Sequence, residues 1–388
     1  MPRRHALTIR IDALRRRTAR RLVAMLLGPS PQPSTAALPA AGIHRVLVCH
    51  TSHSLGNTLL LTPLLQELER IYPAAEIDIL TRSPVAPDIY GHYFGVRRLL
   101  RMPAHAVGHP RQALRALHRM RAVRYDLAID PDPQSQTSRL LLRIARATWK
   151  LGFEGPRKQG HVTHAVPVPR ELPSTGQRPV HMLRQAAGRG DGDFPPPDIR
   201  LDASEKSQGS LALERLMMAH GEPRKRRVVG IFANATGPKL LSAGWWQSFM
   251  QVLDAAPGDC QWLEIVPASG QSMLGARYPA YYSSDLRKLA SVLAGLDTLV
   301  TLDCGVMHLA CAAQVPTVGI FTVTSAAEWG PYGRRDAIVH ALDRPPAQVA
   351  EDVLAALNPA TYVASPTPGP QAAAPAPHAT IDRPATIG

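Results

Sequence analysis

The stretch Asp303-Cys304-Gly305-Val306-Met307-His308-Leu309-Ala310 gives the strongest indication of the fold. It follows the apolar run 296–302, which has the pattern of a buried strand, and it leads into a predicted helix over 307–313. An acid at a strand end, a glycine and the free N–H groups of a helix start suit a sugar nucleotide, because its hydroxyls need acceptors and its phosphates need donors. A helix cap with a hydrogen-bonded core histidine is the alternative for these residues taken alone.

Strand-like and helix-like segments alternate on both sides of this stretch. The predicted strands are 44–50, 76–81, 125–130, 227–233, 261–266, 298–302 and 317–321, and the predicted helices are 58–71, 111–122, 135–147, 181–187, 204–219, 245–253, 284–293, 307–313 and 346–356. This alternation predicts an α/β protein with mostly parallel sheets. A segment rich in Gly, Asp and Pro, 188–197, separates two such sets and predicts a domain boundary. We therefore predict two Rossmann-like domains that face a cleft, at 41–195 and 196–358.

Both ends of the chain lack the pattern of a packed core. Residues 1–40 form a basic arm followed by a linker rich in Pro, Ser and Ala, so the ordered chain is expected to begin near His44. Residues 359–388, dominated by Ala, Pro and Thr, are predicted to be disordered. The last predicted helix, 346–356, is expected to cross back toward the first domain.

Composition argues against several classes of protein. With 388 residues, 45% of them hydrophobic, the chain is long enough for two domain cores, and no stretch approaches the roughly 18 apolar residues of a membrane span. The cysteines show no C-x-x-C spacing, which favours a reducing cytosol, so we assign no disulfide and no metal site. These cysteines are Cys49, Cys260, Cys304 and Cys311.

The net charge of +14 is concentrated at the amino end, where the first 21 residues hold eight arginines and one acid, Asp12. Apolar residues can line one side of a helix over 1–27, which suits an anionic membrane surface. A disordered solubilising arm is the alternative. Nucleic acid is not an expected partner, since no aromatic residues alternate with these arginines.

Three motifs, found in order across about 44–342, carry a resemblance to a known family. They are the stretch 303–310 followed by Val315-Pro-Thr-Val-Gly-Ile-Phe321, the segment Val46-Leu-Val-Cys-His-Thr-Ser-His-Ser-Leu-Gly-Asn57, and Asn234-Ala-Thr-Gly-Pro-Lys239 followed by Trp245-Trp246. Together they resemble glycosyltransferase family 9, the ADP-heptose:lipopolysaccharide heptosyltransferase group. The resemblance implies the two-domain type B fold. It also implies inverting, metal-independent transfer of a heptose or related sugar from a nucleoside diphosphate, expected to be ADP, to a glycolipid acceptor.

The resemblance assigns donor binding to residues after the second-domain strands. Lys239 would neutralise the diphosphate and the charge of the leaving group, without a metal or other cofactor. Asn234 and Thr236 are candidates for hydrogen bonds to the phosphates. Trp245 and Trp246 are interpreted as packing residues.

The opening stretch supplies the remaining donor contacts. Asp303 would accept from sugar hydroxyls, the N–H of Gly305 would face phosphate or ribose, and His308 would meet the same ligand. Cys304 stands where the family usually has Ser or Thr and is a poorer hydrogen-bond donor, and we do not interpret it as a nucleophile. In the loop after the last matched strand, Thr324 is the residue that carries over.

Two departures from the family pattern affect chemistry and specificity. Asn57 occupies the position of the usual catalytic Asp, and an amide cannot remove a proton. The base is therefore elsewhere, with His53 as first candidate and His50, Asp130 and Asp132 after it, or catalysis is lost. An acid that usually follows a Gly-Gly turn is also absent, and Glu264 either compensates for it or faces solvent.

A basic helix face is the candidate acceptor site. Arg111, Arg115 and Arg119 recur at intervals of four and suit an anionic glycolipid, although a solvated helix face is the simpler alternative. The sequence thus favours a glycosyltransferase of the cytosol, or one peripheral on the inner face of the inner membrane. A catalytically idle sugar-nucleotide-binding or scaffold protein, and a sugar-nucleotide processing enzyme such as an epimerase, remain alternatives.

Overall fold

Two parallel six-stranded sheets form the fold. The computed structural model describes residues 34–104, 108–155, 158, 161–190, 192–221, 227–256, 260–333 and 335–358. The first sheet contains β1 (Arg45–His50), β2 (Glu76–Thr81), β3 (Val96–Arg101), β4 (Tyr125–Asp130), β5 (Ala147–Glu154) and β6 (His164–Pro167). The second contains β7 (Arg227–Phe232), β8 (Cys260–Ile265), β9 (Ala280–Tyr281), β10 (Thr298–Leu302), β11 (Thr317–Phe321) and β12 (Ala337–His340).

The helices alternate with these strands. They are α1 (Leu55–Leu59), α2 (Thr62–Ile71), α3 (Ala86–Tyr90), α4 (Pro110–Arg121), α5 (Gln136–Ile144), α6 (Arg178–Ala186), α7 (Ala203–Ala219), α8 (Ala243–Ala255), α9 (Leu286–Leu293), α10 (Gly305–Ala312), α11 (Ala326–Trp329) and α12 (Pro346–Leu357). Within the described residues, no helix is long and apolar enough to span a bilayer.

Both sheets have the same strand order when they are read from opposite edges. The orders are β3-β2-β1-β4-β5-β6 and β12-β11-β10-β7-β8-β9, with all neighbouring pairs parallel. The chain reverses direction across the sheet between β1 and β4, and again between β7 and β10. Ligands of such sheets bind outside the carboxyl ends of the strands at this reversal. The strand order therefore predicts ligand sites at the loops after β1, β4, β7 and β10.

Most of the predicted helices and strands are present, and the differences between prediction and structure have local causes. Strands 76–81, 125–130, 298–302 and 317–321 are confirmed to the residue, whereas β3, β5, β6, β9 and β12 were not foreseen. Strand β3 was not predicted because its arginines interrupt the apolar pattern. It lies at the edge of the sheet, where Arg97 and Arg98 bind the buried Asp78 at 3.0 and 2.5 Å. The predicted helix 58–71 is divided into α1 and α2, because Pro63 in the first turn of α2 supplies no N–H.

The last helix packs differently from the expectation. Helix α12 lies against α8 and β12 of the second half and does not cross to the first. Its buried face, Val349, Ala350, Val353 and Leu357, belongs to the core around the second sheet. The apolar spacing along α12 predicted a buried face, but it carried no information about which domain covers that face.

The packed chain begins before His44. Leu38 is buried at 3% exposure, its N–H donates to the carbonyl of Ala186, and the N–H of Ser34 donates to the carbonyl of Thr163. The described part of the predicted linker is therefore packed against the first half. The basic arm over 1–27 and the tail over 359–388 lie outside the described residues.

The chain that leaves the first half is hydrogen-bonded to both halves. The N–H of Asp198 donates to Oγ1 of Thr62 at 3.0 Å, and the N–H of Ile199 donates to the carbonyl of Ala312 at 3.0 Å. Arg287 in α9 donates to the carbonyl oxygens of Asp88 and Ile199, at 2.7 and 3.0 Å, and also binds Glu205. The crossover is thus fixed on both sides of the cleft.

Asp130, at the end of β4, holds a buried ionic cluster. Its Oδ2 accepts from Nε of Arg139 at 3.0 Å and from Nζ of Lys158 at 2.6 Å, and all three side chains are buried. Burial lowers the pKa of the Lys158 ammonium, and the charge of Asp130 opposes that shift. Asp130 is therefore a structural residue, contrary to the hypothesis that it acts as a catalytic base.

We expect Asp130→Asn to lower the free energy of unfolding by about 3–5 kcal/mol, because two buried cations lose their counter-charge. Urea denaturation measures this loss. The control is Asp254→Asn, which removes an exposed ion pair with Arg277 and is expected to cost at most about 1 kcal/mol. Similar losses in the two variants would contradict the role of the cluster.

Candidate active site

Two adjoining cavities lie at the carboxyl ends of the strands where each sheet reverses. The larger, of about 590 Å³, is lined by residues that follow β1, β7, β10 and β11, and the smaller, of about 170 Å³, by residues that follow β1 and β4 together with the segments around Arg178 and α11. Asn57 and Trp329 line both cavities. A molecule in one cavity therefore meets a molecule in the other at these two side chains.

The larger cavity brings together every residue for which the sequence predicted a donor contact. These are Asn234, Thr236, Lys239, Asp303, Cys304, Gly305, His308 and Thr324. They come together because each lies at or beyond the carboxyl end of a strand in one parallel sheet. Their contacts with a donor remain predictions.

The two halves approach most closely where α1 faces α10. A Cβ added at Gly56 would lie 2.7 Å from Cδ2 of His308, and one added at Gly305 would lie 3.0 Å from Cβ of Leu55. Side chains at either glycine would therefore separate the two helix starts. The start of α10 consequently borders a narrow cleft, and a helix N-terminus in such a cleft suits a phosphate.

Asp303 organises the polar wall of the larger cavity. Its Oδ2 accepts from Nζ of Lys239 at 3.2 Å and from Oγ1 of Thr324 at 2.6 Å. Lys239 ends a short 3-10 turn, Gly237–Lys239, in which Gly237 has a φ of 65°. A lysine and a hydroxyl are thus held beside one carboxylate, at a site where a diphosphate and sugar hydroxyls would find donors and an acceptor.

Burial sets the protonation of the neighbouring groups. It lowers the pKa of His308 to about 4, with Asp303 opposing the shift and Lys239 adding to it, so the imidazole is neutral at physiological pH. Burial also raises the pKa of the Cys304 thiol, whose Sγ lies 3.5 Å from Oγ1 of Thr301. A protonated thiol is a poor nucleophile, which agrees with the sequence interpretation.

The amide of Asn57 is held at the edge of the smaller cavity. Its Nδ2 donates to Oγ of Ser52 at 3.0 Å, and its backbone N–H donates to Oγ of Ser54, which caps α1. The side-chain carbonyl of Asn57 remains able to accept a hydrogen bond from a hydroxyl. An amide at this position cannot take a proton from a hydroxyl.

The two histidines that were candidates for the catalytic base, His53 and His50, lie in different surroundings. His53, the first candidate, is exposed and lines neither cavity, because it precedes α1 in an outward loop. His50 lines the smaller cavity, but burial lowers its pKa to about 4, with Asp132 opposing the shift. The structure thus does not bring His53 to the site, and it leaves His50 as a neutral, weak base.

Two further expectations need correction or refinement. Arg111, Arg115 and Arg119 lie on the exposed face of α4 and line neither cavity, so the structure does not bring them to the cleft. Glu264 neither faces solvent nor reaches the donor cavity. It is buried and accepts from the N–H groups of Met273 and Leu274 and from the hydroxyl of Ser272, at 2.6 to 3.1 Å.

The residues that sequence reasoning missed come from both halves, Arg178 from the first and Glu328 and Trp329 from the second. Trp329 lines both cavities, and Glu328 lies opposite Arg178 in the smaller one, with Oε1 3.7 Å from Nη1 of the arginine. Both lie in the loop after β11, from which only Thr324 had been selected. The feature of the sequence that could have identified this segment is Trp329, the aromatic residue directly before Gly330. Trp245 and Trp246 instead pack with Phe249, as expected from the sequence.

Sequence comparisons identify relatives of this chain. The family model of glycosyltransferase family 9 (heptosyltransferase) matches residues 283–357 of this chain. Lipopolysaccharide heptosyltransferase 1 of Pseudomonas aeruginosa is 26% identical over 314 residues, which cover 75% of this chain and 82% of that protein.

Solved structures show the same fold. A family 9 glycosyl transferase from Veillonella parvula has a TM-score of 0.68 at 15% identity, covering 83% of this chain and 99% of the other. E. coli heptosyltransferase WaaC with ADP has a TM-score of 0.61 at 19% identity, covering 80% and 98%. E. coli ADP-heptose lps heptosyltransferase II has a TM-score of 0.60 at 19% identity, covering 81% and 98%.

The two parallel sheets and these structural matches define the two-domain glycosyltransferase type B fold, as predicted. The predicted resemblance to glycosyltransferase family 9 is confirmed, and the chain is similar to heptosyltransferases of that family.

Gly56→Ala is expected to lower the free energy of unfolding by about 1–3 kcal/mol and to weaken donor binding, because its methyl group would overlap the buried ring of His308. Urea denaturation and calorimetry with ADP measure the two effects. Gly244→Ala is the matched control, since a Cβ there meets no atom within 4 Å. Unchanged stability and ADP affinity in Gly56→Ala would contradict a tight contact between α1 and α10.

Proposed function

We propose that this enzyme transfers a heptose or a related sugar from a nucleoside diphosphate, expected to be ADP, to a cell-surface glycolipid that resembles the lipopolysaccharide core. The transfer inverts the anomeric centre and requires no metal or other cofactor. The observation that carries the proposal is the larger cavity, where Lys239, Asp303 and Thr324 surround the start of α10. The names of the relatives support the donor and acceptor, and one related structure holds ADP.

The arrangement favours direct displacement at the anomeric carbon. An acceptor hydroxyl oxygen attacks this carbon from the face opposite the diphosphate, and the bond from carbon to the diphosphate oxygen breaks. The electron pair of that bond leaves with the diphosphate, where Lys239 and the helix N–H groups stabilise the negative charge. Asp303 holds the ammonium in place and offers its second oxygen to a sugar hydroxyl.

The smaller cavity is the acceptor side. It joins the donor cavity at Asn57 and Trp329, and Arg178 supplies a cation on its wall. The guanidinium, which is 17% exposed, suits the carboxylates or phosphates of an anionic glycolipid. Such an acceptor would bring the enzyme to the inner face of the inner membrane as a peripheral protein of the cytosol, with residues 1–27 on the anionic lipid.

The decisive experiment combines binding and transfer. Thermal stabilisation by ADP-, UDP- and GDP-sugars identifies the donor, since a ligand of the folded state raises the melting temperature. Release of ADP from ADP-heptose is then measured with heptose-deficient lipopolysaccharide as acceptor. Stabilisation without transfer would contradict the proposed activity and favour an idle sugar-nucleotide-binding protein, whereas ADP-heptose consumption without any acceptor requirement would favour a processing enzyme.

Lys239→Ala and Asp303→Ala are each expected to weaken ADP-heptose binding by about 1.5–3 kcal/mol, since each removes a charge-assisted contact. Calorimetry measures the affinity, and urea denaturation verifies that the variants are folded. Lys206→Ala is the matched control, because this exposed lysine lines neither cavity. Wild-type affinity in both folded variants would refute the donor site.

Deletion of residues 1–33 is expected to abolish binding to phosphatidylglycerol vesicles while ADP binding persists. The deletion ends before Ser34 because the following residues pack on the first half. Binding of the full chain should decline with rising salt, as screening weakens charge attraction. Vesicle co-sedimentation that is equal for both proteins at every salt concentration would reject a membrane role for the arm.

A further inference from the structure

Asp132 places a carboxylate on the wall of the smaller cavity that also contains Asn57. It follows β4, whereas Asn57 follows β1, so the two residues come from the neighbouring strands at which the first sheet reverses. Ligands of such a sheet lie at this position. A carboxylate is thus present in the acceptor cavity although residue 57 is an amide.

The carboxylate of Asp132 is oriented by its own loop. Its Oδ1 accepts from the N–H groups of Gln134 and Ser135, at 2.7 and 2.9 Å, and its backbone N–H donates to Oδ1 of Asp130 at 3.4 Å. In the described part of the chain, no donor is bound to Oδ2 of Asp132. One oxygen therefore fixes the side chain, and the other is available to a substrate hydroxyl.

The other titratable groups on this cavity are less suited to take a proton. His50 is buried, and forming its imidazolium there is costly. Glu328 faces the guanidinium of Arg178, whose charge it balances. Lys158 does not line this cavity; it interacts electrostatically with Asp132 and is bound to Asp130.

We propose that Asp132 is the general base of the transfer reaction, an inference that rests on the proposed function. The acceptor hydroxyl gives its proton to Oδ2 of Asp132 as its oxygen bonds to the anomeric carbon. The bond from that carbon to the diphosphate breaks at the same time, and the diphosphate leaves with the electron pair. Asn57 accepts or donates a hydrogen bond that orients the hydroxyl, and Asp132 later releases the proton to water.

Asp132→Asn tests this assignment, because the amide oxygen can still accept from Gln134 and Ser135 and so preserve the loop. With ADP-heptose and heptose-deficient lipopolysaccharide, kcat is expected to fall roughly 10²- to 10⁴-fold, the usual scale of general base catalysis. The affinity for ADP and the melting temperature are expected to stay at their wild-type values. The double variant Asn57→Asp/Asp132→Asn, which returns a carboxylate to the same cavity, is expected to regain part of the lost kcat.

Asp126→Asn is the matched control. Asp126 lies on β4, the strand that precedes Asp132, and accepts two backbone N–H groups, those of His44 and Arg45, but it lines neither cavity, so kcat should stay unchanged. The assignment is overturned if Asp132→Asn keeps wild-type kcat, if it loses ADP affinity and melting temperature together, or if the double variant is as inactive as the single one. A wild-type protein that binds ADP-heptose but transfers nothing would instead overturn the proposed function.

Discussion

The contact between the starts of α1 and α10 is the constraint on which the site depends. Two glycines, Gly56 and Gly305, allow residues of opposite halves to approach within van der Waals distance, with His308 and Leu55 as their neighbours. Because of this contact, loops after the strands of both sheets enclose common cavities. Each sheet alone would offer an open crevice, whereas the pair encloses a cleft in which Asp303 and His308 are buried. Charges in such a cleft interact more strongly than they do at a surface.

The electrostatics of the donor side follow from that enclosure. Asp303 is 6% exposed and binds Lys239, so the cation is oriented before a donor arrives. A diphosphate bound as proposed would redistribute an existing ion pair among three charged groups, and the lysine would lose little conformational freedom. Neutral His308 and protonated Cys304 add hydrogen-bonding capacity to this wall without adding charge.

The α/β alternation was predicted from the sequence, and the residues selected for the donor side lie together in one cavity, because both depend on local spacing along strands and helix starts. The predictions failed where the direction of a side chain in the tertiary structure decides. The interval of four among Arg111, Arg115 and Arg119 identified one exposed face of a helix, but spacing does not say whether that face meets the cleft. His53 lies close to Asn57 in sequence, yet its side chain is exposed and lines neither cavity. Trp329 joins the site through the fold of its loop, which no periodic pattern describes.

The hydrogen bonds of the crossover determine how substrates can enter. Asp198 and Ile199 are tied to opposite halves, and Arg287 joins the crossover to α3 through the carbonyl of Asp88. A hinge rotation that widened the cleft at this end would have to break these bonds together. Wide opening is consequently costly here. A second set of contacts joins α11 to the first half, because the N–H of Thr175 donates to the carbonyl of Glu328 at 3.0 Å and Arg178 lies opposite the Glu328 carboxylate. The two halves are therefore bridged at two places, and a molecule that entered the cleft by separating them would have to break one of these bridges.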